Sequence, residues 1–115
     1  MQKRISDCPI DGAMVLLSGR WRALILYYLN EGPMRFNELK RANEGISQQM
    51  LTRELRALEE AGVIGRTVHA EMPPRVEYWL TPAGRRLMPI IDDLAGWWES
   101  IQPEAASDGR LLAAE

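Results

Sequence analysis

Apolar residues in the first third of the chain recur at intervals of three and four, which is the period of an α-helix. This spacing predicts helices over residues 9–17, 21–29 and 35–42, each followed by a glycine-containing turn. Pro9 favours a helix start, because the first helical turn does not need its backbone N–H.

The stretch GISQQMLTRELRALEEAG, residues 45–62, predicts a longer amphipathic helix. Ser47 is its expected N-cap, because its hydroxyl can accept a hydrogen bond from a free N–H of the first turn. Leu51, Leu55 and Leu58 form one apolar stripe that should face the core. The side chains left to face outward are Gln48, Gln49, Thr52, Arg53 and Arg56.

The hydrophobic period changes after residue 62. Residues 64–70 and 76–81 are rich in β-branched and aromatic residues, and a loop with Pro73 and Pro74 separates them. A β-hairpin with a stiff loop is therefore predicted. Arg66 interrupts the apolar alternation of its first strand.

Thr81 and Pro82 predict the start of a last helix, as N-cap and first helical residue. Its apolar residues recur in a heptad-like seam: Leu87, Ile91, Leu94, Trp98 and Ile101. Pro89 is expected to kink this helix or to restart it one turn later.

The composition is that of an ordinary globular domain. The chain has 115 residues, enough for one domain, with 46% apolar and 26% charged residues. It has no apolar run of about 18 residues, and its N-terminal MQKRISDCP lacks the apolar segment of a signal peptide. We therefore expect a cytoplasmic protein that neither spans a membrane nor is exported.

The net charge of −2 is unevenly distributed. Residues 20–86 carry eleven Lys and Arg against eight Glu, a balance of +3, whereas residues 87–115 carry one Arg against six acids, a balance of −5. A phosphate backbone interacts with the local electrostatic potential of a surface and not with the total charge of the protein. This charge pattern therefore favours a basic binding surface. A well-mixed solvated surface is the alternative, since +3 is a small balance.

The predicted order of helix, helix, short helix, turn, long helix, hairpin and helix is that of a winged helix-turn-helix domain with an N-terminal and a C-terminal helix. The expected fold class is α+β, mostly α. In such a domain the short helix crosses the DNA backbone, the longer one enters the major groove, and the hairpin is the wing. Gln suits adenine, Arg suits guanine, and the Thr methyl suits thymine. We therefore predict base contacts from Gln48, Gln49, Thr52 and Arg53.

The ordinary alternative for this polar face is solvation on an amphipathic helix. A solvated face usually mixes Glu with Lys, whereas none of the five outward positions is acidic. Glu54, Glu59 and Glu60 lie on the flank of the helix or toward its end. The chemistry of the face therefore favours DNA.

Three stretches of the sequence resemble the HxlR-type helix-turn-helix regulators, relatives of the MarR-type winged-helix repressors and activators of bacteria. They are CPIDGAMVLLSGRW, GPMRFNELKRANEGISQQMLTRELRALEEAGVIGR and PPRVEYWLTPAGRRLMPIIDDL. The resemblance implies a cytoplasmic homodimer that binds near-palindromic operator DNA and controls transcription, with residues 47–61 as recognition helix. Trp79 departs from the small polar residue usual there, and it could pack on the terminal helix or cover a cavity for a small-molecule effector.

Contacts with the DNA backbone or through the wing are predicted for Arg20, Arg35, Ser47, Arg56 and Arg75. Arg35 begins the backbone-crossing helix, so a phosphate contact is favoured over base reading, with a solvated arginine as the alternative. The resemblance puts Arg75 on the wing. It follows two prolines and could enter a minor groove or touch phosphate, or it could stabilise the turn.

Two adjacent tryptophans on the last helix cannot both point into the core of one protomer. A dimer interface is therefore predicted from Ile91, Leu94, Trp97, Trp98 and Ile101. A two-fold axis would place two recognition helices about 34 Å apart, one turn of DNA. The expected division is an N-terminal arm (residues 1–7), the winged domain with its dimerisation helix (8–102) and a flexible tail (103–115).

Cys8 is the only cysteine, so an intrachain disulfide is excluded. Its place before Pro9 predicts an N-cap, where the positive end of a helix favours the reactive thiolate. The resemblance implies that some family members sense oxidants or electrophiles through a cysteine here. Sensing would then need a mixed disulfide or a link between two copies of Cys8. The ordinary alternative is a partly buried small residue.

The remaining function classes have less support. One histidine, His69, lies on the wing without Cys or a carboxylate pair at ligand spacing, so neither a metal site nor another cofactor is predicted. The sequence has no phosphate loop or catalytic frame, so an enzyme is not expected. A winged-helix module that binds protein instead of DNA is the stronger rival, and it predicts an apolar or acidic outer face on the long helix.

Overall fold

The computed structural model describes the backbone of residues 7–108 and the side chains of residues 7–102. Within this part of the chain, helices and strands follow one another in the predicted order, with one short strand added. They are α1 (Pro9–Leu16), α2 (Arg22–Leu29), β1 (Met34–Arg35), α3 (Phe36–Ala42), α4 (Gln48–Glu60), β2 (Ile64–His69), β3 (Arg75–Leu80) and α5 (Pro82–Asp108). The prediction of an α+β, mostly α, winged helix-turn-helix fold is confirmed.

The core collects the apolar faces of α2, α3, α4, the base of the hairpin and the start of α5. The leucines predicted to face inward from α4 are all buried. The buried apolar set is Ile25, Leu26, Leu29, Leu39, Ile46, Leu51, Leu55, Leu58, Val63, Ile64, Leu80, Met88 and Ile91. Burying one such side chain stabilises the fold by about 1.5–3 kcal/mol, so this set determines how α4 is turned.

A backbone motif ends α4 and starts the hairpin. Gly62 has a φ of +82°, which a glycine adopts without strain. The N–H of Gly62 donates to the carbonyl of Glu59 at 3.0 Å, and that of Val63 to the carbonyl of Leu58 at 3.2 Å. These two bonds are the Schellman pattern, which satisfies carbonyls left without partners at the helix end.

The strands form an antiparallel sheet in the order β1-β3-β2. Ile64 pairs with Leu80 at the base of the hairpin, and both are buried. His69 pairs with Arg75 at the far end of the ladder. The base of the hairpin therefore belongs to the core, whereas its far half projects from it as a wing.

Trp79 packs across the sheet on a glycine. Its cross-strand partner is Gly65, where a Cβ atom would lie 2.5 Å from the indole ring. The indole Nε1–H donates to Oγ1 of Thr67 at 2.8 Å. The ring also lines an open cleft of about 340 Å³ that reaches Arg85 on α5. The absence of a side chain at position 65 thus makes room for the ring.

Helix α5 is continuous from Pro82 to Asp108, so the predicted restart at Pro89 is wrong. Proline leaves the carbonyl of Arg85, four residues earlier, without its helical donor. Both residues are exposed, so water can satisfy that carbonyl. The helix also extends past residue 103, where the tail is predicted to begin; most of the predicted arm (1–6) and residues 109–115 lie outside the described residues.

The first turn of α5 docks on the turn after α4. The Thr81 hydroxyl donates to the carbonyl of Gly62 at 2.6 Å, and its backbone N–H donates to the carbonyl of Val63 at 3.1 Å. A Cβ atom on Gly84 would overlap the same Val63 carbonyl oxygen. Only glycine at position 84 allows this approach.

We predict that Gly84→Ala lowers the free energy of unfolding by about 1–3 kcal/mol, because the Val63 backbone cannot move away cheaply. Gly96→Ala, in the same helix with open space around it, should raise it by up to about 1 kcal/mol through helix propensity. Urea unfolding at one protomer concentration measures both. Equal midpoints for the two variants would contradict the docking described here.

Candidate nucleic-acid interface

The start of α4 has the predicted cap. The Ser47 hydroxyl oxygen accepts a hydrogen bond from the backbone N–H of Met50 at 3.0 Å. Ile46 and Leu51, at the two positions of a hydrophobic staple, are both buried. The cap and the staple fix where the helix begins and which side of it faces the core.

The outward face of α4 is polar and basic. Gln48, Gln49, Arg53 and Arg56 are exposed, and Thr52 is half-buried. The Thr52 hydroxyl donates to the carbonyl of Gln48 at 2.9 Å, which commits its proton and leaves its methyl group for contacts. An Arg53 Nη atom lies 3.0 Å from the Met50 sulfur, a weak contact that does not hold the guanidinium in place. The structure therefore brings the four predicted base-reading residues to one face.

Two of the three glutamates of α4 form ion pairs. Glu54 is largely buried and forms an ion pair with Nε of Arg22. Arg22 also donates to the carbonyl of Leu16 at 3.2 Å, so this pair ties α1, α2 and α4 together. Glu59 lies 3.7 Å from Arg66 on the wing. Two of the three glutamates of α4 are thus paired, and the third, Glu60, is exposed in the last turn, away from the residues predicted to read bases.

Arg35 lies between β1 and α3. Its backbone N–H donates to a Glu38 carboxylate oxygen at 2.8 Å, while its side chain is exposed. Arg20 is also exposed, with its guanidinium carbon 4.9 Å from the centroid of the Trp21 ring. That ring lies beside Gly45, in the turn that leads into α4. Both arginines thus flank the helix-turn-helix unit.

Arg75 is engaged within the wing. It contacts Glu71 at 2.9 Å and Glu77 at 3.4 Å, and Glu77 also lies 2.9 Å from Nε2 of His69. We call these four residues the wing-tip cluster. The side chain of Arg75 is only 32% exposed, and its Nε is buried without a hydrogen-bond partner. This geometry supports the turn-stabilising alternative for Arg75 more than a contact with DNA.

An open cleft of about 470 Å³ separates α4 from the wing. Arg56 and Arg66 line it together with Tyr78, on a floor that includes Phe36 and Leu55. Burial raises the pKa of the Tyr78 hydroxyl, and the nearby Arg66 charge partly opposes this. The cleft explains why Arg66 breaks the apolar alternation of β2. Its side chain lies in this cleft and not in the core.

The predicted dimer residues separate into two groups. Ile91 is buried in the core of its own protomer and is not part of a free surface. Leu94, Trp97 and Trp98 are 46%, 59% and 57% exposed, and Ile101 is half-buried. The exposed apolar part of α5 also includes Ile90, which is 55% exposed and was not among the predicted residues.

Helix α1 presents a second exposed apolar surface, which the sequence analysis did not predict, because helical spacing alone does not show whether apolar residues face a core. Ile10 and Val15 are 68% and 54% exposed, and Met14 is exposed as well. A signal was available, since residues 9–16 carry more apolar side chains than a single buried stripe needs.

Cys8 occupies the N-cap position of α1, as predicted. Its carbonyl accepts the N–H of Gly12 at 3.0 Å, and its thiol makes no capping hydrogen bond. The residue is exposed in the protomer, so the partly buried alternative does not hold there. The charged residues nearest to Cys8 in sequence are Asp7 and Asp11, which oppose a thiolate, and Lys3 and Arg4, which favour one but lie outside the described residues.

Two absences hold for the part of the chain that the structure describes. It contains no group of three or more His, Cys, Asp or Glu that could hold a metal ion. It also contains no helix with the length and apolar character needed to cross a bilayer.

Comparison with known proteins identifies the family. The family model described as HxlR-like helix-turn-helix matches residues 16–106. The chain belongs to the HxlR-like family. An HTH-type transcriptional regulator of Methanothermobacter thermautotrophicus is 46% identical over 90 residues, which cover 78% of this chain and 69% of that protein.

Solved structures of related regulators have the same fold. A MarR-family transcriptional regulator of Porphyromonas gingivalis is 43% identical, with a TM-score of 0.75 over 80% of this chain and 90% of that one. The redox regulator HypR in its reduced form is 38% identical, with a TM-score of 0.81 over 87% of this chain and 99% of that one. This HxlR-like protein is therefore a helix-turn-helix transcriptional regulator and not an enzyme.

We predict different losses for two arginines of this HxlR-like protein. Arg53→Ala should relax sequence preference and cost about 1–3 kcal/mol on preferred duplexes, because it removes a base contact. Arg35→Ala should weaken binding to all duplexes and lower the salt slope by about 1, because it removes a phosphate contact. Titration of preferred and random duplexes at several salt concentrations measures both. Equal losses on both duplexes for both variants would mean that this division of roles is wrong.

Proposed function

We propose that this HxlR-like regulator acts in the cytoplasm as a homodimer that binds near-palindromic operator DNA sequence-specifically. The observation that carries the proposal is the outward face of α4. From Gln48 to Arg56 its exposed side chains are amides and guanidinium groups, the groups that make bidentate bonds to adenine and guanine. Thr52 adds a methyl group suited to thymine.

The charges beside this face support DNA over a protein partner. Arg35, Arg53 and Arg56 have no ion pair among the described side chains, whereas Glu54 and Glu59 are paired with arginines. A module that binds protein predicts an apolar or acidic outer face on α4. From Gln48 to Arg56 the exposed residues are neither apolar nor acidic, and the exposed Glu60 lies in the last turn. Their charge suits a phosphate backbone.

The dimer is supported by apolar surface that one protomer leaves exposed. Trp97 and Trp98 have ring centroids 6.5 Å apart and are both more than half exposed on α5. Ile10 and Val15 on α1 are also more than half exposed. Large apolar side chains left exposed in this way are typical of interfaces. A two-fold interface would supply two recognition helices, which matches a palindromic site.

We predict that selection from random duplexes yields an inverted repeat with half-sites about 10 base pairs apart, because a symmetric dimer presents its recognition helices one DNA turn apart. Affinity for the selected duplex should fall steeply with salt, as counterions are released from the contacted phosphates. Sequencing of the bound duplexes and a salt titration measure this.

The control for this experiment is Gln48→Ala/Arg53→Ala, which removes side chains of the outward face and leaves the buried leucines intact. It should select no repeat. A salt-independent affinity would favour a protein partner, and a stable monomer by sedimentation at micromolar concentration would contradict the dimer.

Redox control through Cys8 is a second element of the proposal. The thiol is exposed at the N-cap of α1. It lies on α1, next to the apolar surface proposed for the dimer. HypR, a redox regulator similar to this chain, is known in reduced and oxidised forms. Oxidation at Cys8 would thus act close to the interface that spaces the two recognition helices. A small ligand in the cleft at Trp79 is the alternative effector.

We predict that diamide with glutathione changes operator affinity about fivefold or more, which is a usual size for coupling between two sites. Diamide takes two electrons and two protons from two thiols, which join as a disulfide. Cys8 can supply one of them, and glutathione or the second protomer's Cys8 the other. Fluorescence anisotropy measures the affinity, and intact mass spectrometry identifies the product.

Cys8→Ser is the matched variant, because it keeps a hydroxyl at the N-cap and loses the thiol. It should bind the operator equally well with and without diamide. If it kept the full response to the oxidant, Cys8 would not be the sensor.

A further inference from the structure

The wing contributes little positive charge to the proposed DNA interface. Counted without His69, the wing-tip cluster carries two glutamates and one arginine, a balance of −1. Both glutamates lie within 3.4 Å of the Arg75 guanidinium. Phosphate oxygens would have to compete with these carboxylates for the same N–H groups. Electrostatic attraction is therefore a poor explanation for any contact between the tip of this wing and DNA.

The side chain that projects from the tip is apolar. Met72 is 92% exposed, the highest value among the exposed large apolar side chains of the described residues. It lies between Glu71 and Pro73, in the loop that joins β2 to β3.

The loop that carries Met72 is held at its base. The Glu71 carboxylate contacts Arg75 across the loop at 2.9 Å, and the backbone N–H of Glu71 donates to the carbonyl of His69 at 2.9 Å. Two prolines follow Met72 and restrict the backbone further. These restraints reduce the entropy that would be lost if the tip entered a binding site.

The length of the wing suits the neighbouring groove of the duplex. Five residue steps separate buried Ile64 from His69, and a strand rises about 3.4 Å per residue, so the tip lies about 17 Å beyond the core. Half a turn of B-DNA is also about 17 Å along the axis. A wing beside a recognition helix in the major groove therefore reaches the adjacent minor groove.

We propose that Met72 is an apolar wedge that enters the minor groove at a flexible pyrimidine–purine step, and that the wing reads DNA through this side chain and not through Arg75. Apolar side chains, Met among them, insert between base steps and partly unstack them. Pyrimidine–purine steps unstack at the lowest cost, so the wedge adds sequence preference at the edge of the site. The unbranched thioether chain adapts to an irregular gap. This inference rests on the proposed DNA-binding function.

The experiment uses the duplex selected by the wild-type protein, with 2-aminopurine replacing adenine at pyrimidine–purine steps that flank the half-sites. Insertion should raise the 2-aminopurine fluorescence at one such step, because that base becomes unstacked. Met72→Ala should lose this increase and bind about tenfold more weakly at every salt concentration. Its salt slope should equal that of the wild type, because no phosphate contact is lost.

Two variants serve as controls. Met72→Leu, which keeps an apolar side chain of similar size, should retain most of the affinity and the fluorescence increase. Val68→Ala, at a β2 position that is 59% exposed, should bind within twofold of the wild type. Circular dichroism and unfolding midpoints equal to those of the wild type would show that the wing is folded in each variant.

A variant with one negative charge fewer distinguishes insertion of Met72 from a wing that binds DNA through the charge of Arg75. Glu71→Gln removes one of the two carboxylates that hold Arg75, so its salt slope should steepen by up to about 1 while the fluorescence increase is kept. Under the proposal, Arg75→Gln leaves the wild-type salt slope unchanged. If Arg75→Gln lowered the slope by about 1 and Met72→Ala changed neither affinity nor fluorescence, the wing would act by charge and the proposal would be overturned.

The outcomes also distinguish this inference from the proposed function. A wild-type protein that binds no duplex would reject both. A wild-type protein that binds its selected duplex, with Met72→Ala equal to it in affinity and fluorescence, would reject only the wedge.

Discussion

The burial of three leucines on one side of α4 is the constraint on which the proposed interface depends. Turning Leu51, Leu55 and Leu58 toward the core leaves every other position of the helix facing outward or sideways. Rotating the helix to hide its polar face would expose these side chains at about 1.5–3 kcal/mol each. The direction in which Gln48 and Arg53 point is therefore set by buried leucines that are not part of the proposed DNA interface.

The same logic extends to the wing through the turn after α4. The turn at Gly62 directs the chain into β2. The first turn of α5 packs against this turn through Thr81 and through Gly84, which has no side chain. Recognition helix, wing and the helix proposed for the dimer thus meet at one small backbone junction. A shift of the dimer helix would be transmitted to the wing and α4 here, because the contact has no flexible side chain to absorb it.

Local signals predicted most of the fold. The cap at Ser47, the period of α4 and the glycine after it each involve residues close in sequence, so they could be read without coordinates. Contacts between distant residues could not. The Arg22 to Glu54 pair joins positions 32 residues apart, and periodicity gives no information about such a partner. The continuity of α5 through Pro89 was missed for a related reason, since the cost of proline depends on whether water reaches the carbonyl it leaves unpaired.

The charge of the interface shows why the candidate site was only partly predictable. A balance of +3 over residues 20–86 is too small to identify a DNA-binding face. The structure pairs Glu54, Glu59, Glu71 and Glu77 with arginines or with His69, and it leaves Arg53 and Arg56 on the outward face of α4 without an ion pair among the described side chains. Arginines without an ion pair thus lie on the outward face of α4, whereas Arg75 at the wing tip is paired with two carboxylates. The sequence gives the total charge of this region. Only the ion pairs in the structure show which arginines are unpaired and therefore available to a phosphate group.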